Sequence, residues 1–165
     1  MNISSDATKN SAKDASTDRI EKQILLKAPR SRVWRAVSNA EEFGKWFCVD
    51  FTGKRFVAGQ SIQGNITYPG YEHLVMDVLV ERVEAEHHLS FRWHPAAVDV
   101  TVDYSPEPTT LVVFELNEVD SGTLLRVSES GFDRIPAARR AEAFRMNSGG
   151  WEEQMINIEK YVAKA

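Results

Sequence analysis

Among residues able to do chemistry, Glu129 is the most informative, set in the run TLLRVSESG from Thr123 to Gly131. If that run is a strand, Glu129 shares a face with Thr123, Leu125 and Val127, and an inward-facing apolar set carries its carboxylate toward the interior. There it needs a partner such as an arginine or a histidine to remain charged, or it serves as the polar anchor of a bound ligand. The other reading places Glu129 at the strand's end, hydrated or bonded to backbone. Ser128 and Ser130 flank it, yet no sequence feature supplies either with a general base.

The histidines offer no metal centre. His88 and His94 share a strand face but lie six residues apart, about 20 Å along an extended chain, too far for one ion. His87 and His88 point to opposite faces, and His73 stands alone. No cysteine or carboxylate cluster has ligand spacing, so no metal and no cofactor is implied. GQSIQG has neither the spacing nor the lysine of a phosphate loop, and no nucleophile elbow or His-Glu zinc helix occurs.

A chain of 165 residues, 42% hydrophobic and 27% charged, fits one globular domain with enough core to fold alone. The formal net charge is -4, and no basic run gathers the lysines and arginines, which argues against a nucleic-acid partner. Lone Cys48 excludes an internal disulfide and fits a reducing compartment, with the cytoplasm as the default. No apolar run reaches the roughly 20 residues of a membrane span. The first 18 residues, MNISSDATKNSAKDASTD, have little to bury and read as a flexible tail. The domain then occupies residues 19–165.

The elements that position Glu129 follow from periodicity. RIEKQILLKA alternates Ile20, Lys22, Ile24, Leu26 and Ala28 on a core face, with Lys22 its one polar exception. PRSRVWRAVSN opens with a helix-starting proline and carries a stripe of Val33, Trp34 and Val37; EEFGKWF puts Phe43, Trp46 and Phe47 on one side. Strand-like runs follow around 61–68, 74–83, 88–93, 110–116 and 123–131. The short connections EAEH and NEVDSG favour antiparallel hairpins, and 94–108 is long and irregular.

From Pro136 onward, Phe144, Ser148, Trp151, Met155, Ile158 and Val162 keep one helical phase through SGGW, Ser148 to Trp151. Each glycine there costs roughly 1 kcal/mol relative to alanine. An unbroken helix in which Gly149 and Gly150 admit a closely packed neighbour is the reading adopted; a helix restarting with Ser148 as its N-cap is the alternative.

PRSRVWRAVSNAEEFGKWF, VERVEAEHHLSFRW, GTLLRVSESGF and the SGGW segment, in that order, resemble proteins homologous to the C-terminal domain of the activator of the ninety-kilodalton heat-shock ATPase. That family lies in the START-like, birch-pollen-allergen-like superfamily, and the resemblance covers about residues 19–163. It implies an α+β helix-grip fold: a curved antiparallel sheet wrapped around a long C-terminal helix, with two short helices after the first strand and a cavity between sheet and helix. Such a cavity suits a small apolar or amphipathic ligand, contacted by Phe43, Trp46, Trp93, Glu129, Phe144, Trp151 and Met155, without chemical conversion. Large aromatics filling the cavity as core are the competing reading. The resemblance also implies two alternatives: a co-chaperone-like protein contacting a heat-shock ATPase, and an enzyme acting on an apolar substrate through Glu129. No membrane partner is implied, and the oligomeric state is left undefined.

Overall fold

In the computed structural model, which describes residues 16–164, β1 (Arg19–Leu26) leads into α1 (Arg30–Ser38) and α2 (Ala40–Phe47). The strands β2 (Ser61–Asn65), β3 (Val75–Glu84), β4 (His88–Trp93), β5 (Thr110–Val119) and β6 (Gly122–Ser130) follow. A short 3-10 turn (Phe132–Arg134) precedes α3 (Ala137–Ala163). The strands form one antiparallel sheet in the order β1-β6-β5-β4-β3-β2. This is the helix-grip arrangement.

Local chemistry explains the elements. Pro29, extended at φ -62°, ends β1 and lends its carbonyl to the N–H groups of Arg32 and Val33, a proline role at a helix start. Asn39 caps α2 by accepting the Glu42 N–H at 3.0 Å, with Glu41 and Glu42 in the favourable first turn. In β1, Ile20 and Leu26 are buried and Lys22 and Ile24 half-buried, as the alternation requires. Lys22 reaches Glu152 on α3 at 3.8 Å.

The expected tail falls mostly on residues outside those described. Two residues assigned to it, Thr17 and Asp18, touch the domain. Thr17 Oγ1 donates to Asp133 at 2.7 Å, and the Asp18 carboxylate accepts the N–H groups of Gly131 and Asp133 at 3.3 and 3.0 Å.

Between sheet and helices lies a ring-rich core. Phe43 meets Trp46 edge-on at 4.8 Å and Phe114 at 6.1 Å; Phe114 in turn meets Phe91 at 6.0 Å and Trp151 at 5.7 Å. Ala143, Trp151, Met155, Ile158 and Val162 are the buried positions of α3, close to the stripe read from the sequence.

That helix is unbroken through Ser148, so the restart is not realised. The close packing expected at its glycines is not realised either: a Cβ placed on Gly149 or Gly150 meets nothing within 4 Å. Gly150→Ala is therefore expected to stabilise the protein by about 0.5–1 kcal/mol through helix propensity alone. Urea unfolding measures it, and a loss of stability would show an undetected neighbour.

At the far end of α3, Glu42 draws the helices together. Its Oε1 accepts from Arg32 Nη1 at 2.9 Å and Tyr161 Oη at 2.8 Å, and its Oε2 from Arg35 Nε at 2.9 Å. Burial raises its pKa, but hydrogen bonds from Tyr161 and Arg32 and the charges of Arg32 and Arg35 outweigh burial and hold it below the ordinary 4.5. A carboxyl lowered on folding adds stability that is fully present above its unfolded pKa and lost as pH falls through its folded pKa. Stability should thus drop on acidification below about pH 4.5 more steeply in the wild type than in Glu42→Gln. Parallel pH profiles of the two unfolding midpoints would remove Glu42 as a cause.

Candidate functional site

Alternation in β4 and β5 turns Leu89, Phe91 and Val112, Phe114, Leu116 inward, all buried. The same phase carries Trp93 and Thr110, directly paired across the two strands, to the sheet's end beneath the middle of α3. On β6, Thr123, Leu125, Val127 and Glu129 are buried together, so Glu129 does face inward.

Four side chains converge on its carboxylate. Oε1 accepts from Trp151 Nε1 at 2.8 Å and Asn147 Nδ2 at 2.9 Å. Oε2 accepts from Trp93 Nε1 at 2.7 Å, Thr110 Oγ1 at 2.6 Å and Asn147 Nδ2 at 3.1 Å. No arginine, lysine or histidine is among these partners; neutral N–H and O–H groups satisfy the buried carboxylate instead. Both oxygens are thereby engaged by the protein. Glu129 lines neither of the concavities described below, and its visible role is to fix the indoles of Trp93 and Trp151, which stack at 5.8 Å with planes 29° apart.

Above those indoles the core opens. One concavity of about 220 Å³ lies between β3, the end of α2 and the segment after β4, with Ile66, Leu74, Met76 and Val98 in its walls. A second of about 160 Å³ lies over Gly150, Trp151 and Gln154. They share Phe47, Trp93 and Asn147 and so form one groove. Gly150, without a side chain, leaves its helix-side wall open. The irregular segment 94–108 is braced over the first concavity by Arg139, which donates to Glu107 Oε1 at 2.7 Å and to the Pro95 carbonyl at 2.8 Å. The Arg139 guanidinium also covers the Tyr104 ring at 4.8 Å. A larger depression of about 620 Å³ beside α1 is lined by Arg35, Glu41, Lys54 and Arg55, surroundings that do not suit an apolar guest.

Of the residues expected to meet a ligand, Trp93 and Trp151 lie at the groove. Phe43 is fully buried among other rings, Met155 is buried, and Phe144 packs on Phe132 at 5.1 Å. Trp46 is buried with its N–H on the Ala36 carbonyl at 2.8 Å. Phe43, Trp46 and Met155 belong to the packed core of the grip and half-buried Phe144 packs against it, so their side chains largely fill the space between sheet and helix. Sequence reasoning missed Asn147, Thr110 and Phe47 as site residues. Asn147 precedes Trp151 by four residues, the spacing that puts two helical side chains together, and Thr110 continues the inward phase of Val112 and Phe114. Among the described residues no group of three or more histidine, cysteine, aspartate or glutamate side chains could hold a metal, and no helix is long and apolar enough to cross a membrane.

A curved sheet gripping a long helix, with a groove at their junction, defines a START-like domain. The sequence profile of one family matches residues 27–163, and the chain belongs to that family, described as activator of Hsp90 ATPase homolog 1-like protein. No curated protein matches the chain. Among solved structures, protein MLL2253 of Mesorhizobium loti is similar at 24% identity and a TM-score of 0.69, over 89% of this chain and 98% of that one. A protein of Arthrobacter aurescens reaches a TM-score of 0.72 at 14% identity, over 90% and 88%. NE0264 of Nitrosomonas europaea has a TM-score of 0.66 at 18% identity, over 90% and 96%. At these identities the likeness concerns the fold alone.

Proposed function

We propose that the groove over Trp93 and Trp151 binds a small apolar or amphipathic molecule without converting it. The observation that carries this reading is the pair of adjoining concavities, about 220 and 160 Å³, joined at Phe47, Trp93 and Asn147. A cavity of about 150 Å³ accepts one benzene ring, and ordinary ligand sites begin near 300 Å³, so the fitting guest has one or two fused rings. Rigid indoles form its floor, and a ligand need not reorder them to bind, which lowers the entropic penalty of association.

The chemistry of the groove gives less support to an enzyme. Glu129, the residue through which an enzyme would act, already accepts from Trp93, Trp151, Thr110 and Asn147, so it offers no substrate a free proton acceptor; Asp77, the carboxylate that lines the first concavity, is exposed and accepts from Gln63 at 3.0 Å. A second reading, contact with a heat-shock ATPase, is supported by the family description and by exposed Val98, Val100 and Val102 on the braced segment, an apolar surface of the kind that partners cover. Native mass spectrometry of the purified protein separates the three. A co-purifying one- or two-ring molecule released unchanged supports the binding reading, and its conversion on incubation supports an enzyme. Protein that carries and takes up no apolar molecule but raises the turnover of a purified heat-shock ATPase would replace the binding reading with the second.

A further inference from the structure

The Asn147 amide is held in one orientation by chemistry. Its Nδ2 lies 2.9 and 3.1 Å from the two Glu129 oxygens, and turning the amide over would set its carbonyl oxygen against a carboxylate, acceptor against acceptor. The Glu129 position is in turn fixed by Trp93, Thr110 and Trp151. Asn147 Oδ1 therefore points away from this hub, from a residue that lines both halves of the groove. Among the described residues it accepts no hydrogen bond, and it is not a sealed, unpartnered atom, a description that fits only Arg32 Nε. The other polar side chain in the concavity at Gly150 is engaged at both ends: Gln154 donates to the Phe47 carbonyl at 3.3 Å and accepts from Asn157 at 3.1 Å. Both indole N–H groups are turned down onto Glu129. In the half at Gly150, Asn147 Oδ1 is thus the side-chain acceptor left without a partner, while the other half also carries Asp77, His94 and Tyr104.

We infer that Asn147 Oδ1 selects ligands carrying a hydroxyl or N–H donor on an apolar ring system, with an aromatic alcohol as the class that fits. Glu129 acts as the positioning residue that holds this acceptor toward the groove. An apolar ring stacks over Trp93 while its hydroxyl donates to Asn147 Oδ1. A ring bearing only an ether oxygen at that place sets acceptor against acceptor and leaves the carbonyl desolvated without a partner.

This inference rests on the binding reading, and three probes keep the two apart: 2-naphthol, 2-methoxynaphthalene and naphthalene, titrated into protein carrying 13C at asparagine carbonyls and 15N at indoles. The expected result is that all three move the Trp93 and Trp151 indole signals. Only 2-naphthol should shift the Asn147 carbonyl, and it should bind roughly five- to tenfold tighter than 2-methoxynaphthalene, the worth of one hydrogen bond. Asn147→Leu should bring that ratio to about one. If the variant does not fold, the wild-type carbonyl shift and affinity ratio decide. Equal affinities for the two oxygenated probes with a silent Asn147 carbonyl would overturn the selectivity and leave groove binding standing. Failure of all three probes to bind would overturn both.

Discussion

Glu129→Gln is expected to destabilise the protein by about 1–3 kcal/mol, even though the amide matches the carboxylate in size. The cost lies in the hydrogen bonds. Each carboxylate oxygen receives an indole N–H, from Trp151 on one and Trp93 on the other. Glutamine has a single oxygen, so its NH2 must face one of the two indoles, and an indole N–H cannot accept. One buried donor is left without a partner, at about 1–3 kcal/mol. The Thr110 hydroxyl and the Asn147 amide can turn to accept from the new NH2, but neither indole can. Guanidinium unfolding reads the effect directly; a variant within about 0.5 kcal/mol of wild type would mean that the donors rearrange freely.

Gly44→Ala should be the second severe substitution, with a loss of about 2–3 kcal/mol. A Cβ at Gly44 runs into the carbonyl oxygen of Val49. The chain there cannot retreat easily. Val49 N and Cys48 N both bond to the Gly44 carbonyl, at 3.1 and 2.9 Å, and Asp50 N bonds to the Asn65 carbonyl at 2.9 Å. Helix propensity returns only about 1 kcal/mol. Thermal unfolding should thus move down for Gly44→Ala and up for Gly150→Ala. Equal shifts in the two would contradict the assignment of close packing to α2 and open space to α3.

That pair of glycines shows what was legible in the sequence. Helical phase survived Gly149 and Gly150, so the continuity of α3 could be read from Phe144 to Val162. Where a neighbour approaches could not, because close approach depends on the chain folding back after Cys48, a tertiary event with no local signature. Alternation put Glu129 on one face with Thr123, Leu125 and Val127 and left open whether that face turns inward or the residue sits hydrated at the strand's end. Its partners could not be told, since they come from β4, β5 and α3, at separations between 18 and 36 residues. Periodicity also marks Phe43, Trp46 and Trp93 alike as apolar positions. Only packing separates rings that fill the grip from the one that floors the groove.

The central claim, that the groove at Gly150 is where a small apolar molecule binds, is tested most directly by titrating naphthalene into wild-type protein and Gly150→Leu while following the Trp93 and Trp151 indole signals. A side chain at position 150 enters open space within the concavity shared with Trp93 and Asn147, and leucine favours the helix by nearly 1 kcal/mol over glycine. The account predicts a variant at least as stable as wild type whose indole signals no longer respond, beside a wild type that saturates. Undiminished binding by Gly150→Leu, or no binding by wild type, would contradict it.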